Sequence, residues 1–424
     1  MATSLLRLQY TFLNPHPAPN PTRQSLIRRS LSLSPPPPPP PSPSTVTWRP
    51  ARRSGVIVAN ATATSRDGDS KKKEKKKSKK GKLEGVSEEL NLLASMSLDW
   101  APTRRRVRTA FLEVQGNLDH VLFKMAPKDI QMEETYETNS KGVEIFWKSW
   151  LPPAGTSPKA ALFFCHGYGD TCTFFFEGIA KRIAHAGYAV YAMDYPGFGL
   201  SYGLHGYIPS FDGMVDHVIE QYNRIKGRKE LQGLRHFLLG QSMGGAVALK
   251  VHLKKPADWD GVVLVAPMCK IAEEVTPPAL VLKGLSFLSV LMPEAKLFPQ
   301  KDLGDLAFRD PNKRKIAEFN VISYSDQMRL RTAVEIVKAT QDIESKLEKV
   351  SSPLLILHGA ADKVTDPHVS QYLYDKASTN DKTFKLYDGG YHSILEGEPD
   401  DRISAVIGDI ISWLDSRSSA NLED

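Results

Sequence analysis

The sequence predicts an α/β fold in which a mostly parallel sheet is covered by helices on both faces. Short apolar runs of strand length alternate with helical segments between residues 143 and 415, as in sheets built from helical crossovers. One of these runs, His236–Leu239, leads into Gly240-Gln-Ser-Met-Gly244, a G-x-S-x-G turn followed by an Ala- and Leu-rich helix. The alternation breaks from Pro267 to about Val350 and then resumes, which indicates an insertion.

The N-terminal residues differ in composition from the rest of the 424-residue chain. Residues 1–66 contain eight Arg, many Ser and Pro, and no Asp or Glu. This composition is typical of an organellar transit peptide, and we predict one at residues 1–60, with a merely disordered tail as the alternative. The Ser and Pro content favours the chloroplast (plastid) as the destination after removal of the peptide, with the mitochondrion as the alternative.

A lysine run at Lys71–Lys82 lies within the next segment, residues 61–85. It cannot bury apolar surface, so a disordered Lys-rich linker is predicted; contact with anionic lipid and a nuclear signal are the alternatives. Residues 1–82 carry a net charge of +14, and the remainder carries −7. The remainder therefore lacks the basic surface that nucleic-acid binding requires.

Residues 86–135 are predicted to form a helical N-terminal extension. Glu88–Ser97 has helical periodicity, and after Pro102 apolar residues recur at spacings of three and four, which indicates one buried stripe on a second helix. These residues are Val107, Phe111, Val114, Leu118, Val121 and Leu122. Arg104-Arg105-Arg106 falls in the first turn of this helix, where the helix dipole disfavours cations, and an exposed basic face is expected there.

The remaining elements follow in order along the α/β domain. Continuous apolar runs indicate strands buried on both faces, and glycines such as Gly187 mark where helices end. Strands are predicted at Val143–Trp150, Ala160–Cys165, Tyr188–Met193, Gly261–Ala266, Pro353–His358 and Thr383–Tyr387. Helices are predicted at Phe174–His185, Phe211–Ile225, Lys313–Phe319, Thr332–Leu347, His368–Ala377 and Arg402–Asp415.

Ser242 is the candidate nucleophile because it occupies the G-x-S-x-G turn between a strand and a helix. So sharp a turn strains the backbone, and Gly240 and Gly244 remove β-carbons that would collide with the neighbouring strand and helix. The following helix N-terminus favours negative charge as it develops at the serine. The alternative is a glycine-rich turn that carries a surface serine.

Three histidines follow the insertion, and one of them is the expected general base. In folds with this turn the partners follow in the order serine, acid, histidine. His392 lies in a glycine-rich loop directly after the last strand, which can carry an imidazole to the strand ends. His358 ends a buried strand and is expected in the core, whereas His368 begins a helix and is expected to be exposed.

The acid that orients the base is expected just after the preceding strand. Asp362 follows that strand after two alanines, and its carboxylate would fix the tautomer of His392. Asp366 is the alternative, four residues on and next to Pro367, where it could cap the following helix. We favour Asp362.

Two backbone N–H groups are the expected oxyanion hole. One belongs to Met243, the residue after the nucleophile, and the other to the loop after the earlier strand, where Tyr168 follows His166-Gly167. His166 precedes the nucleophile and lies on this loop, so a structural role is expected for its side chain.

Several segments together resemble the plant monoacylglycerol lipase family of α/β-hydrolases, which includes lysophospholipase-like proteins and caffeoylshikimate esterase. They are His166-Gly-Tyr-Gly-Asp170, Asp194-Tyr-Pro-Gly-Phe-Gly-Leu-Ser201, His205-Gly-Tyr-Ile-Pro209, Gly240-Gln-Ser-Met-Gly-Gly245, His358-Gly-Ala-Ala-Asp362 and Tyr391-His392. The resemblance implies the α/β-hydrolase fold with a helical lid, and no metal or organic cofactor. It places nucleophile, acid and base at Ser242, Asp362 and His392, and the oxyanion loop at Tyr168.

The resemblance covers roughly Gly142–Leu414, and residues 86–130 resemble the extension of a plastid-type subgroup. It departs from the animal lipases at Gln241, where they carry histidine. We therefore predict an α/β-hydrolase domain at residues 136–424 with a lid at about 268–350.

The function predicted from these features is a serine carboxylic-ester hydrolase that cleaves monoacylglycerol or a related lysolipid through an acyl-enzyme on Ser242. The alternatives are a phenolic-ester esterase of the caffeoylshikimate type and an acyltransferase that uses the same triad. A non-catalytic receptor on this fold usually lacks a triad member, and an epoxide or haloalkane hydrolase would need Asp at position 242.

The lid segment Pro278–Pro293 is apolar except for Lys283, Ser286 and Ser289. One interpretation is a helix packed on the body of the domain. The other is a lid whose outer face touches a membrane surface and whose inner face guides an acyl chain, with Leu285 and Leu288 as substrate contacts. The chain has no stretch of 18 apolar residues, so no transmembrane helix is predicted.

Overall fold

The computed structural model describes residues 82–270, 279–298 and 304–418. The predicted transit peptide and most of the predicted Lys-rich linker, residues 1–81, lie outside the described residues. The strands are β1 (Gln131–Thr138), β2 (Glu144–Leu151), β3 (Ala161–Cys165), β4 (Ala189–Met193), β5 (His236–Gln241), β6 (Gly261–Val265), β7 (Leu354–Gly359) and β8 (Lys382–Tyr387).

The α-helices within the described ranges lie before, between and after these strands. They are α1 (Glu88–Ala94), α2 (Ala101–Gly116), α3 (Val121–Lys124), α4 (Phe175–His185), α5 (Phe211–Lys226), α6 (Met243–Lys254), α7 (Ala279–Leu291), α8 (Gly304–Ala307), α9 (Pro311–Ala317), α10 (Leu330–Glu344), α11 (Pro367–Lys376) and α12 (Asp400–Ser418). The strands and helices predicted individually for the α/β domain agree with these bounds to within three residues at each end.

The eight strands form one sheet in the order β1-β2-β4-β3-β5-β6-β7-β8. The β1–β2 and β2–β4 pairs are antiparallel, and all other pairs are parallel. The carboxyl ends of β3 to β8 therefore meet at one edge of the sheet, where open α/β sheets place their ligands. The predicted fold class, an α/β-hydrolase sheet with helices on both faces, is confirmed.

The core lies on both faces of the sheet because the central strands alternate their side chains between two apolar layers. In β3, Leu162 and Phe164 join the layer with α2, α4 and α12, whereas Phe163 and Cys165 join the layer with α5 and α6. All five residues of β3 are buried, as expected for a parallel strand covered on both sides.

The first strand was not among the predicted strands, and the predicted domain boundary at residue 136 falls inside it. β1 reads Gln-Met-Glu-Glu-Thr-Tyr-Glu-Thr and exposes most of its side chains at the edge of the sheet. An edge strand with water on both faces has no apolar alternation, so its sequence carries little strand signal.

Helix α2 of the N-terminal extension packs on the first layer through Val107 and Phe111, both fully buried. The expectation of an exposed basic face is wrong for Arg104, which is also fully buried. Its guanidinium donates hydrogen bonds to the carbonyl oxygens of Gly199 (2.5 Å) and Ser201 (2.7 Å) in the loop after β4. These carbonyls lack strand or helix partners, so Arg104 takes the place that water would otherwise fill.

The insertion between β6 and β7 contains α7 to α10. Helix α7 exposes large apolar side chains, with Phe287 and Val290 at 66% and 70% relative exposure. Apart from Ser289, every α7 side chain whose burial the structure describes is half-buried or exposed. Of the helices in the described residues, none is long and apolar enough to span a membrane.

Candidate active site

The predicted strand–turn–helix at Ser242 is confirmed. Strand β5 ends at Gln241, helix α6 begins at Met243, and Ser242 between them has φ 54° and ψ −121°. A positive φ is uncommon for any residue with a β-carbon and persists only where neighbours hold it. Here the Ser242 N–H donates to Val265 O (3.0 Å), and the Ser242 carbonyl accepts from Met268 N–H (2.9 Å).

The two glycines that flank the serine are required by space. A β-carbon on Gly240 would lie 2.4 Å from the carbonyl oxygen of Gly244, and one on Gly244 would lie 1.9 Å from the carbonyl oxygen of Cys165. Both distances are far below van der Waals contact. The prediction that these glycines remove colliding β-carbons is confirmed.

Ser242, His392 and Asp362 lie in one hydrogen-bonded line. His392 Nε2 is 3.0 Å from Ser242 Oγ, and His392 Nδ1 is 2.7 Å from Asp362 Oδ2. The three residues follow the carboxyl ends of β5, β8 and β7, which lie at the same edge of the sheet. In this arrangement Nε2 can accept the serine proton while the carboxylate holds Nδ1–H.

The Asp362 carboxylate is held on both oxygens. Oδ1 accepts from the N–H groups of Val364 (2.7 Å) and Thr365 (3.0 Å). Oδ2 lies 3.0 Å from His358 Nε2 and 2.8 Å from Thr365 Oγ1, in addition to His392. Burial alone would raise the pKa of Asp362, but the hydrogen bonds and charge interactions with His358 and His392 outweigh it and hold this pKa well below its usual range. Asp362 is therefore ionised at neutral pH.

The alternative acid, Asp366, lies elsewhere. Its Oδ1 accepts from the backbone N–H of His368 (2.9 Å) and contacts His368 Nδ1 (2.8 Å) at the start of α11. The His368 side chain is 93% exposed. Asp366 is thus the cap of helix α11, and both the cap and the exposure of His368 match what the sequence indicated.

The loop after β3 passes beside the nucleophile. A β-carbon built on Gly167 would lie 3.5 Å from Ser242 Cβ, so the residues before Tyr168 are in contact range of the serine. Met243, the first residue of α6, is the other predicted donor. Oxyanion binding by the Tyr168 and Met243 N–H groups stays a prediction.

His166 has the structural role that the sequence indicated. It is fully buried, its Nε2 accepts from the Tyr195 N–H (3.2 Å), and its ring stacks on Tyr195 with 3.9 Å between ring centroids. Burial lowers the pKa of His166, so the ring is neutral and acts as an acceptor within the loop.

A second polar pair, not predicted from the sequence, joins the serine turn to the histidine loop. Gln241 Nε2 lies 2.8 and 3.1 Å from the two carboxyl oxygens of Glu396, four residues after His392. Burial and the neighbouring Asp170 raise the pKa of Glu396 to about 7. The pairing depends on tertiary contact across 155 residues, which no local pattern signals.

The predicted lid contacts lie on α7, where Leu285 is half-buried and Leu288 is 37% exposed. Their contact with substrate stays a prediction. Within the described part of the chain, no group of three or more His, Cys, Asp or Glu side chains is arranged to hold a metal ion.

Comparison with known proteins agrees with this fold. The family model described as Serine aminopeptidase, S33 matches residues 156–400. Caffeoylshikimate esterase of Arabidopsis thaliana is 33% identical over 65% of this chain and 82% of its own length. Monoglyceride lipase of Homo sapiens is 29% identical over 70% of this chain and 95% of its own length.

Solved structures show the same fold. A soluble variant of monoglyceride lipase from Saccharomyces cerevisiae, in complex with a substrate analogue, aligns with a TM-score of 0.61 and 20% identity, covering 70% of this chain and all of that one. Monoacylglycerol lipase of Paleococcus ferrophilus aligns with a TM-score of 0.56 and 24% identity, covering 65% of this chain and 99% of that one.

The fold and the matched family define the protein as a serine hydrolase. The chain belongs to the Serine aminopeptidase S33 family, in the group with the monoglyceride lipases and caffeoylshikimate esterase. The family resemblance predicted from the sequence is therefore confirmed, and its plastid subtype stays a prediction.

Proposed function

We propose that the protein hydrolyses carboxylic esters of lipids, monoacylglycerol or a related lysolipid, through an acyl-enzyme on Ser242. The observation that carries this proposal is the continuous contact from Ser242 Oγ to His392 Nε2 (3.0 Å) and from His392 Nδ1 to Asp362 Oδ2 (2.7 Å). A serine without a base so placed is a weak nucleophile at neutral pH.

In the first half of the proposed reaction, Ser242 Oγ bonds to the ester carbonyl carbon and its proton moves to His392 Nε2. The carbonyl oxygen becomes an oxyanion, which the N–H groups of Met243 and Tyr168 stabilise. When the intermediate collapses, the carbon–oxygen bond to the alcohol breaks and the alcohol leaves with the proton from Nε2. Asp362 stabilises the imidazolium throughout and keeps its own charge.

In the second half, a water molecule attacks the acyl-enzyme and gives its proton to His392 Nε2. The Ser242–acyl bond breaks, the proton returns to Oγ, and the carboxylic acid leaves. Because water is the acceptor, the reaction is hydrolysis; an alcohol in its place would make the protein an acyltransferase. Nothing in the described residues favours an alcohol over water.

The exposed apolar surface of α7 supports a lipid substrate. Phe287, Val290 and Leu291 are each more than half exposed on one helix of the insertion that follows β6, and such surfaces bind lipid through buried apolar area. We infer that the outer face of α7 contacts lipid aggregates and that Leu285 and Leu288 contact the acyl chain. The relatives named monoglyceride lipase support the same substrate class.

A phenolic ester is the second candidate because caffeoylshikimate esterase is 33% identical to this chain. The test is kcat/KM on 1-monoacylglycerols of increasing chain length beside a caffeoyl ester. Each methylene buried in an apolar channel contributes roughly 0.8 kcal/mol, so kcat/KM should rise with acyl length. A decline with length, or a preference for the caffeoyl ester, would replace the lipid substrate with a phenolic one.

We also propose a chloroplast location, supported by the absence of Asp and Glu from residues 1–66. A fluorescent fusion of residues 1–85 should enter plastids and lose its N-terminal segment at a site between about Ile57 and Lys82. A fusion that stays in the cytosol would contradict this location, and one that enters mitochondria would select the alternative.

A further inference from the structure

A second imidazole contacts the acid of the proposed triad. His358, in β7, is fully buried, and its Nε2 lies 3.0 Å from Asp362 Oδ2, the oxygen that His392 Nδ1 approaches at 2.7 Å. Only His392 also lies at hydrogen-bond distance from Ser242 Oγ among the contacts that the structure describes for these two rings. His358 thus shares the Asp362 oxygen with His392 but has no described contact with Ser242.

The hydrogen-bond partners of His358 place a hydrogen on its Nε2. Nε2 faces two acceptors, Asp362 Oδ2 and the carbonyl oxygen of Thr365 (3.1 Å), so Nε2 carries the hydrogen. Nδ1 lies 2.7 Å from the hydroxyl of Ser370, a buried residue of α11, which can donate to it. When Ser370 donates to Nδ1, the ring hydrogen lies on Nε2, where it can donate to Asp362.

We propose that His358, with Ser370 behind it, is a positioning residue that fixes the Asp362 carboxylate for His392. The proposal rests on the assignment of Ser242, His392 and Asp362 to the proposed ester hydrolysis. The backbone N–H groups of Val364 and Thr365 hold Oδ1, and His358 and the Thr365 hydroxyl (2.8 Å) hold Oδ2, so neither oxygen depends on His392 for its place. A carboxylate fixed in advance needs no reorganisation when the imidazolium forms.

The contact also limits how strongly Asp362 attracts the proton on His392. The N–H groups of His358 and His392 both donate to Oδ2, and the hydrogen bond from His358 stabilises the charge of the carboxylate. Without that donor, more of the carboxylate charge acts on His392 and favours its protonated form. Because His392 must be neutral to accept the serine proton, the acidic limb of the pH profile should move to higher pH.

The test compares His358→Leu with His358→Gln in the full chain. Leu removes the donor, whereas a Gln amide N–H can reach the position of Nε2. We expect His358→Leu to lower kcat about tenfold to a hundredfold, with little change in KM, and to move the acidic limb of kcat/KM to higher pH. His358→Gln should restore most of the wild-type kcat and return the acidic limb close to its wild-type pH.

Two further readouts separate positioning from simple loss of structure. The proton NMR signal of the His392–Asp362 hydrogen bond should shift in His358→Leu and return in His358→Gln, while thermal unfolding reports the stability of each variant. Ser370→Ala removes only the hydroxyl, and we expect it to lower kcat about threefold to tenfold with the same direction of pH shift. If His358→Leu does not fold, Ser370→Ala decides the question alone.

A folded His358→Leu or Ser370→Ala variant with the wild-type kcat, pH profile and proton signal would overturn the positioning role. So would a His358→Gln variant that is as impaired as His358→Leu although both are folded. Ser242→Ala is measured beside them: if it keeps full activity, the proposed function itself fails, whereas its inactivity beside an unaffected His358→Leu refutes only the role of His358.

Discussion

The loops at the strand ends and helix α7 depart from the usual distribution of side chains in opposite directions. In the loops at the strand ends, Asp362, His392 and Glu396 are polar yet at least nine-tenths buried. On α7, Phe287 and Val290 are apolar yet about two-thirds exposed. Buried polar groups and exposed apolar groups are the informative cases in a folded protein.

The difference is that the polar groups have partners within the protein and the apolar ones do not. Asp362 accepts hydrogen bonds on both oxygens, and Glu396 accepts from Gln241. We infer that the chemistry is fixed by internal contacts, whereas α7 is left for contact with substrate or its aggregate. Changes in the first region should affect all substrates alike, and changes in the second should depend on the substrate.

A large effect is expected at the carboxylate, second only to the loss of Ser242 itself. Asp362→Asn replaces an acceptor by an amide that cannot hold Nδ1–H of His392 and should lower kcat about 10⁴-fold. The loss should be equal for short and long acyl esters. Asp366→Asn, at the cap of α11, is the matched control and should keep kcat; the opposite pattern would make Asp366 the acid.

Arg104 is a buried cation outside the loops at the strand ends, and its replacement tests whether a buried polar group with internal partners also stabilises the fold. Arg104→Met keeps volume but leaves the carbonyls of Gly199 and Ser201 without their donor, so the free energy of unfolding should fall by about 3 kcal/mol. The neighbouring exposed Arg106→Met should change it by less than about 0.5 kcal/mol. Urea titration measures the free energy of unfolding of both variants. If the two variants lose the same amount, the buried hydrogen bonds of Arg104 do not contribute to stability.

The pH dependence of stability should reveal the buried Glu396. Its pKa is raised by burial and by Asp170 to about 7 in the folded protein, from an ordinary 4.5. Its contribution to stability is therefore present below about pH 4.5 and is lost as the pH rises through about 7. The difference in free energy of unfolding between Glu396→Gln and the wild type should therefore change by about 2 kcal/mol in favour of the variant as the pH rises from 5 to 8.

The exposed Glu113 provides the control for this measurement. Glu113→Gln makes the same substitution at a side chain that is exposed to water, so the difference between the two variants isolates the effect of burying the carboxylate. If Glu396→Gln and Glu113→Gln show the same pH dependence, the carboxylate of Glu396 is not destabilised by its burial.

The smallest expected effect is on the lid. Leu285→Glu and Leu288→Glu should lower kcat/KM for long-chain monoacylglycerols about tenfold, since a charge replaces apolar contact with the chain. Short-chain esters should be nearly unaffected. Leu112→Glu, at an exposed position on α2, is the control and should leave kcat/KM unchanged for both long-chain and short-chain esters. If Leu285→Glu and Leu288→Glu lower kcat/KM equally for both chain lengths, α7 has only a structural role.

Much of the fold and the triad could be predicted because local patterns carry them. Continuous apolar runs such as that of β3 identify strands covered on both faces, and the glycines around Ser242 identify a turn that only small residues permit. The order of serine, acid and histidine then leaves few candidates. Asp362 and His392 were selected by their places after strands, and the structure brings His392 to Ser242 and Asp362 to His392.

The residues that the sequence did not reveal depend on contacts between distant segments. Arg104 sits in a run of three arginines that looks like an exposed face, and its partners lie about 95 residues away. The Gln241–Glu396 pair joins segments 155 residues apart. The His358–Ser370 pair is closer in the chain, but it depends on how α11 packs back on β7, which the sequence pattern does not show. The edge strand β1 has too few buried side chains to show the apolar pattern by which a strand is recognised in a sequence.

The central claim, that Ser242 is the nucleophile of an ester hydrolase, is tested most directly by labelling with a fluorophosphonate and mapping the modified peptide by mass spectrometry. We predict a single adduct on Ser242 of the wild-type protein, and both the adduct and ester hydrolysis lost in Ser242→Ala, with kcat lower by about 10⁶-fold. An adduct on another residue, or hydrolysis that persists in Ser242→Ala, would contradict the account.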